Sequence, residues 1–181
     1  MAYSGVYTVR NRKKYKGDPD KVVYRSLWEK HAFNWCDKNK DIVGWSSEEV
    51  VIPYRWDVDK KGHRYFPDLK ITFKNGKTIL VEIKPAKETE KPNFPGKKTK
   101  RYLNESMTYV KNINKWEAAK SYCKDRKWEF EIWTEHTLEQ MGIMPKAQKF
   151  KSLGQPFKKQ KAPPRGKGLK VGSKPYKKFT K

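Results

Sequence analysis

The chain has 181 residues, enough for one compact domain and an appendage but short of two ordinary cores. Against 43 Lys and Arg stand 20 Asp and Glu, so the formal net charge of +23 points to a polyanionic partner: DNA or RNA first, an anionic membrane surface second. No stretch approaches the ~20 apolar residues of a membrane span, Met1 to Lys14 lacks the apolar core of a signal peptide, and the widely spaced cysteines and histidines give no zinc pattern.

In chain order, residues 1–21 read as an irregular basic arm, with Lys16-Gly17-Asp18-Pro19 a turn. The first helix is predicted to begin near Ser26, or as early as Val22, and to reach about Lys38, because Leu27, Trp28, His31, Ala32, Trp35 and Cys36 recur on one face. Ser26 and Glu29 have the spacing of a capping box. Residues 42–58 read as mostly extended around Val50-Val51-Ile52, with Pro53 limiting the pairing. Lys60-Lys61-Gly62-His63 reads as a turn. Leu69 to Phe73 alternates, Asn75-Gly76 predicts a two-residue hairpin loop, and Thr78 to Ile83 is a strand ended by Pro85.

Residues 86–98, with Pro92, Pro95 and Gly96 among charges, predict a mobile loop. Leu103, Met107 and Val110 predict a second helix; Asn114 followed by Glu117 looks like a fresh N-cap, opening a third with Trp116, Ala119 and Cys123 on one face. Trp128 to Thr134 alternates as a closing strand, and His136 to Met141 is a short helix ended by Gly142. The expected fold is a mixed α/β domain ending near Pro145. Cys36 and Cys123, set in helical patterns, predict two buried, reduced thiols. Residues 146–181 carry 13 Lys or Arg and no acid, the composition of a flexible, disordered tail.

Glu82 and Lys84 lie two apart on the predicted strand and so leave the same face, with Val81 and Ile83 turned to the other. A solvated ion pair is the ordinary reading of such residues. Leu80 shares their face, however, and the hairpin returns Asp68 to the neighbourhood of Glu82. Two carboxylates that close repel unless a cation lies between them. Phosphodiester hydrolysis needs such a cation to neutralise the scissile oxygens and activate water. Magnesium, with manganese as its substitute, suits Asp68, Glu82 and the Ile83 main-chain carbonyl as a partial shell. Lys84 could orient the attacking water, help deprotonate it, or stabilise the developing charge. Glu29 has two readings: the acid of the capping box, or a further metal ligand delivered by the first helix.

Lys97, Lys98, Lys100 and Arg101 open the second helix against its macrodipole, so they read as phosphate-binding rather than as helix support. Arg10, Arg12, Lys13 and Lys14 could lie along a nucleic-acid backbone without reading sequence. His63 and Arg64, in the turn before Asp68, add a further contact, with His63 also a candidate leaving-group acid. Trp56, off any periodic face, is an indole that could stack on a base.

Pro67-Asp68, a hairpin, then Glu82-x-Lys84 resembles the PD-(D/E)xK motif of the restriction-endonuclease-like nucleases, in which an acid on the first helix, here matched by Glu29, is also usual. A wider set resembles the head completion proteins of T4-like tailed bacteriophages. It comprises Met1-Ala2-Tyr3-Ser4-Gly5, Gly17-Asp18-Pro19, Tyr24-Arg25-Ser26, Trp28-Glu29, Val51-Ile52-Pro53-Tyr54, Arg64-Tyr65-Phe66, Glu82-Ile83-Lys84-Pro85 and Lys115-Trp116 with Ala118-Ala119. The resemblance runs over about residues 1–145 and leaves the basic tail outside. It implies a restriction-endonuclease-like core, a mixed sheet flanked by helices, over 22–145, between the arm at 1–21 and the tail at 146–181. It also implies a metal-dependent endodeoxyribonuclease with Glu29, Asp68, Glu82 and Lys84 as its catalytic set. The implied substrate is double-stranded DNA, packaged in the head or at its end before tail attachment. Portal or head–neck proteins are the implied partners, and the virion or the assembling head in the host cytoplasm the implied place. Two other classes stay open: a structural head-closure protein that binds portal and DNA end with little or no required cleavage, and a basic nucleic-acid-binding module with a decayed metal site, against which the intact Asp68, Glu82 and Lys84 argue.

Overall fold

The structure is a computed structural model and describes residues 3–145. The lysine-rich tail expected at 146–181 lies outside the described residues. Two short strands, β1 (Gly5–Val6) and β2 (Val23–Tyr24), pair antiparallel ahead of helix α1 (Leu27–Lys38). Strands β3 (Ile42–Ser46), β4 (Ile52–Arg55), β5 (Gly62–Tyr65), β6 (Leu69–Phe73) and β7 (Thr78–Ile83) follow. The chain then forms α2 (Ala86–Thr89), the long α3 (Lys100–Asp125), β8 (Glu129–Trp133) and α4 (Glu135–Gln140). The main sheet runs β3-β6-β7-β8; β6 is antiparallel to both neighbours and β8 is parallel to β7, while β4 and β5 form a separate hairpin.

All six residues of β7 are buried, because both faces of the sheet are covered. Ile79, Val81 and Ile83 pack in one core with Ala32, Phe33 and Cys36 of α1. Leu80 turns the other way, into a second core with Ala119 and Cys123 of α3 and Tyr54 and Tyr65 of the β4–β5 hairpin. The period-2 alternation of β7 thus sorts its side chains between two layers, and Glu82 falls on the α3 side with Leu80. Both cysteines are free and buried. No described helix is long and apolar enough to cross a membrane.

Local chemistry explains where this differs from the sequence reading. The helix pair expected around Asn114 is one continuous helix, with neither Gly nor Pro between Lys100 and Asp125 to interrupt it. Asn114 caps nothing: its Oδ1 accepts from the Asp57 N–H (2.9 Å) and its Nδ2 donates to Asp57 Oδ2 (2.7 Å), pinning the β4–β5 turn to α3. The β6–β7 loop has three residues rather than two. Phe73 and Lys77 close it (2.8 Å), and Gly76 takes the left-handed position at φ 84° that follows a type I turn in a bulged hairpin. That single extra residue sets Leu69 opposite Val81 and carries Asp68, just beyond the ladder, toward Glu82.

The stretch expected to be an irregular arm is packed into the domain. Tyr7, Val9 and Tyr15 are buried in the α1-side core, and Tyr15 bridges in parallel to Trp45 at the sheet edge. Asp37, buried near the end of α1, ties the segment down: it accepts from Tyr7 Oη (2.9 Å), the Arg10 N–H (2.9 Å) and Trp45 Nε1 (3.2 Å). The turn expected at 60–63 lies earlier, with Lys60 at φ 58°, so His63 and Arg64 stand on β5 instead. The segment after Pro85 opens with the helical turn α2 rather than as loop throughout.

Candidate active site

Four side chains meet where β6 and β7 leave the main sheet. Pro67, fully buried, fixes the approach to β6. Asp68 Oδ2 accepts a 2.6 Å hydrogen bond from the Ile83 N–H, which locks the carboxylate against β7. Its other oxygen carries no hydrogen bond or ion pair among the described residues. Glu82 is only 3% exposed; its Oε2 accepts from Tyr65 Oη at 2.7 Å, and Lys84 Nζ stands 3.4 Å from its Oε1. Lys84 is fixed at its backbone, where its N–H donates to the Trp133 carbonyl of β8 (3.0 Å).

The electrostatics carry the mark of crowded carboxylates. Burial first, then the charge of Glu82 with a smaller share from Glu29, holds the Asp68 carboxyl well above the usual carboxylate range, against the Ile83 N–H and Lys84. Burial pulls Lys84 downward, but Glu82, Asp68 and Glu88 outweigh it and leave the amine above its ordinary value. Lys84 is therefore an ammonium in this arrangement. Burial and the neighbouring Glu82 carboxylate also push the Tyr65 phenol up, so it remains a hydrogen-bond donor.

Glu29 satisfies the capping reading: Ser26 Oγ accepts from the Glu29 N–H (3.2 Å) and donates to Glu29 Oε1 (2.8 Å), while Oε2 accepts from the Arg25 N–H (2.7 Å). It is still near the cluster. With Ser26, Ile83, Lys84, Pro85 and Glu88 it lines a cavity of about 380 Å³ beside the carboxylates. Among the described residues no group of three or more His, Cys, Asp or Glu is arranged to hold a metal ion. The donor set the site offers is two hard carboxylates, one with a free oxygen. That suits magnesium, which takes one or two protein carboxylates and fills its shell with water and substrate phosphate, and does not suit zinc.

The expected nucleic-acid contacts divide. Arg12 is held by Asp20 through two contacts of 2.6 and 2.7 Å, and Lys14 Nζ donates to the Asp37 and Asn39 carbonyls (3.2 and 2.6 Å), capping the end of α1. Lys14 thus serves the fold, while Arg12 is engaged in an exposed ion pair. His63 bonds Asp59 (2.8 Å) between the rings of Tyr54 and Trp56, committed to its own hairpin. Trp56, expected to be free for a base, has Lys111 over its ring at 4.6 Å. Arg101 pairs with Glu105 (3.0 Å), whereas Lys97, Lys98 and Lys100 around it are exposed, with no carboxylate partner among the described residues, as are Arg10, Lys13 and Arg64.

Sequence reasoning missed Tyr65 and Lys115. Tyr65 stood in the quoted motif, and its alternation on β5 could have shown that it turns inward; nothing in the sequence says it meets Glu82. Lys115 comes from α3, and only the packing of that helix on β4 and β7 brings it within electrostatic range of Glu82, Lys84 and Asp68.

Residues 39–135 match the family described as TnsA-like endonuclease N terminal. The chain belongs to this endonuclease family. The matched segment contains Asp68, Glu82 and Lys84 together with α3, and begins after Glu29. Over a longer span the chain is similar to the "Head completion nuclease" of Enterobacteria phage T4, with 44% identity over 147 residues, 79% of this chain and 98% of that protein. A mixed sheet flanked by helices, as in the endonuclease reading of the sequence, is what the fold displays.

Proposed function

We propose that this member of the endonuclease family is a magnesium-dependent endodeoxyribonuclease, with manganese able to substitute, that acts on packaged double-stranded DNA or its end during phage head completion. The observation that carries the chemistry is the Asp68–Glu82 carboxylate pair, Glu82 buried and Asp68 partly so, with the Lys84 ammonium 3.4 Å from Glu82. The role in head completion draws on the T4 relative, described as a head completion nuclease; the place in the assembling head and contact with portal or neck proteins are part of the proposal. Asp68 and Glu82 would hold the ion, with the Ile83 carbonyl beside them. When bound, the ion supplies polarisation of a phosphoryl oxygen and a water acidic enough to attack.

The protein's own groups do the positioning. Tyr65 holds Glu82 in one rotamer, and the Ile83 N–H does the same for Asp68, so neither carboxylate must reorganise when substrate arrives. Lys84, as an ammonium, donates to the phosphoryl oxygens as negative charge builds on them. Glu29 lines the same cavity as Lys84 while capping α1, and adds its negative charge to the field at Asp68. The test is cleavage of linear, branched and circular DNA by the full chain with magnesium, manganese or chelator. Divalent-dependent cutting is expected, with Asp68→Ala losing cleavage yet keeping DNA affinity. Cutting that persists in chelator or in Asp68→Ala would refute the reading. Normal head maturation with Asp68→Ala would hand the essential role to structural closure.

A further inference from the structure

α3 carries two lysines that the mechanism above leaves unused. Lys111 Nζ lies over the Trp56 ring at 4.6 Å, and Lys115 Nζ over the Tyr65 ring at 5.3 Å. They are one helical turn apart, on the flank of α3 that faces the β4–β5 hairpin. Both are partly buried, and neither has a carboxylate within ion-pair distance among the described residues. Many lysines and arginines in the described residues also lack an ion-paired acid, but nearly all of those are exposed, whereas Lys111 and Lys115 are partly buried as well as unpaired. A half-buried ammonium over an aromatic face keeps its three donors free but has given up part of its hydration, so it gains more from an incoming anion than a solvated lysine does.

The position adds the second argument. Tyr65 is shared: its hydroxyl donates to Glu82 and its ring carries Lys115. Lys115 is therefore set across Tyr65 from the carboxylate pair, while Lys84 approaches Glu82 directly. Burial lowers the Lys115 amine from its ordinary value, and the charges of Glu82 and Asp68 oppose that, so it lies in their field without bonding either. We propose that Lys115 and Lys111 form a phosphate track along α3, Lys115 contacting the backbone phosphate next to the scissile bond and Lys111 the one beyond. The ligand class is the sugar–phosphate backbone of DNA, held by charge without base readout. The track runs along α3 toward the exposed Lys97, Lys98 and Lys100 at its start. At 1.5 Å per residue the 15 residues between Lys100 and Lys115 cover about 22 Å.

The inference rests on the nuclease reading for the position of the scissile bond, but its binding half does not. The full chain is titrated with a short duplex in chelator, where no cutting occurs, across a range of salt. Lys111→Met and Lys115→Met keep the aliphatic stem over the ring and remove the charge, and Lys120→Met, on an exposed face of α3 about 140° away, is the control. Each track variant should reduce the slope of log affinity against log salt by about 0.9, and the control should not. Lys115→Arg should restore the slope. With magnesium and saturating DNA, Lys115→Met should cut at least tenfold more slowly, while Lys111→Met should change mainly the half-saturating DNA concentration. A double variant with the wild-type slope, or Lys115→Met cutting at the wild-type rate, overturns the track. A wild-type chain that binds with these slopes and never cuts refutes the nuclease reading and leaves the backbone site standing.

Discussion

Replacing Tyr65 with Phe removes one oxygen from a region with no slack. Tyr65 is 2% exposed and Glu82 3%, so water cannot take the place of the lost hydroxyl without opening the β4–β5 hairpin away from the sheet. The bond removed is 2.7 Å long and charge-assisted, a class that contributes about 1.5–3 kcal/mol, and its loss strands a buried carboxylate oxygen. In a domain of this size each kcal/mol moves the melting midpoint by about 2–4 °C, so Tyr65→Phe is expected to lower it by roughly 3–12 °C. The same change frees Glu82 to turn toward Lys84, and single-turnover cleavage is expected to fall by about 10–100-fold with little change in DNA affinity. Thermal melts in chelator and cleavage in magnesium read the two effects separately. A double-mutant cycle with Glu82→Gln isolates the contact: in the neutral background the same Tyr65→Phe change should cost about half as much. An unchanged midpoint for Tyr65→Phe, or an equal cost in both backgrounds, would show that the hydroxyl does not hold the carboxylate.

Asp68→Asn keeps an acceptor for the Ile83 N–H but removes a charge that burial, Glu82 and Glu29 all oppose; melts in chelator should show a higher midpoint than wild type while cleavage is lost. Asp37→Ala leaves Tyr7, the Arg10 N–H and Trp45 without their acceptor and should destabilise the domain by about 3 kcal/mol in denaturant titrations. Burial pushes the Cys123 thiol up to about 11, so at pH 8 only about one thiol in a thousand is ionised, and a thiol reagent should label the folded chain slowly and the unfolded chain fast. The folded thiol keeps its proton longer than the unfolded one. Its stabilising contribution is therefore complete below the ordinary thiol value and is lost as pH climbs toward 11, which melts from pH 8 to 10.5 would register as a falling midpoint. Gly76→Ala, at φ 84°, should cost about 1 kcal/mol through strain at the hairpin turn.

Much of the site was legible because it lies on a hairpin. Strand alternation alone placed Glu82 with Lys84 and Leu80, and chain return brought Asp68 back to them. The one-residue error in the loop shows the limit of this: Asn75-Gly76 fits two turn geometries, and the choice between them fixes which residue faces Glu82. α1 was legible through Ser26 and Glu29, whose spacing carried both a local and a distant meaning. Both are expressed in part, since the carboxylate caps the helix and its charge is felt at Asp68. What the sequence hid depends on contacts distant along the chain. Asn114 looked like a helix start because its acceptor-rich side chain favours caps; its partner, Asp57, lies 57 residues away. The buried Tyr7 and Tyr15 were lost among the charges of a segment with no periodicity at all.

The +23 charge has the same two sides. It identified a polyanion as the partner, but it did not locate the surface, because a sum cannot distinguish a cation that supports the fold from one that is free. Arg12 and Lys14 stood in the densest basic run near the N-terminus, and the structure spends both, one on Asp20 and one on the end of α1. Lys111 and Lys115 stood in an unremarkable amphipathic stretch, yet they lie over the Trp56 and Tyr65 rings with no ion-paired acid among the described residues. Lys14 would have to leave two carbonyls that cap α1, and Arg12 an exposed pair with Asp20, before either could hold a phosphate. Lys111 and Lys115 have already given up part of their hydration and would leave only a ring contact of about 0.5–2 kcal/mol. Pairing, more than density, therefore ranks the basic residues. By that criterion the backbone of a bound duplex is expected to follow the proposed track on α3 rather than Arg12 and Lys14, and the salt slopes of the lysine variants measure it.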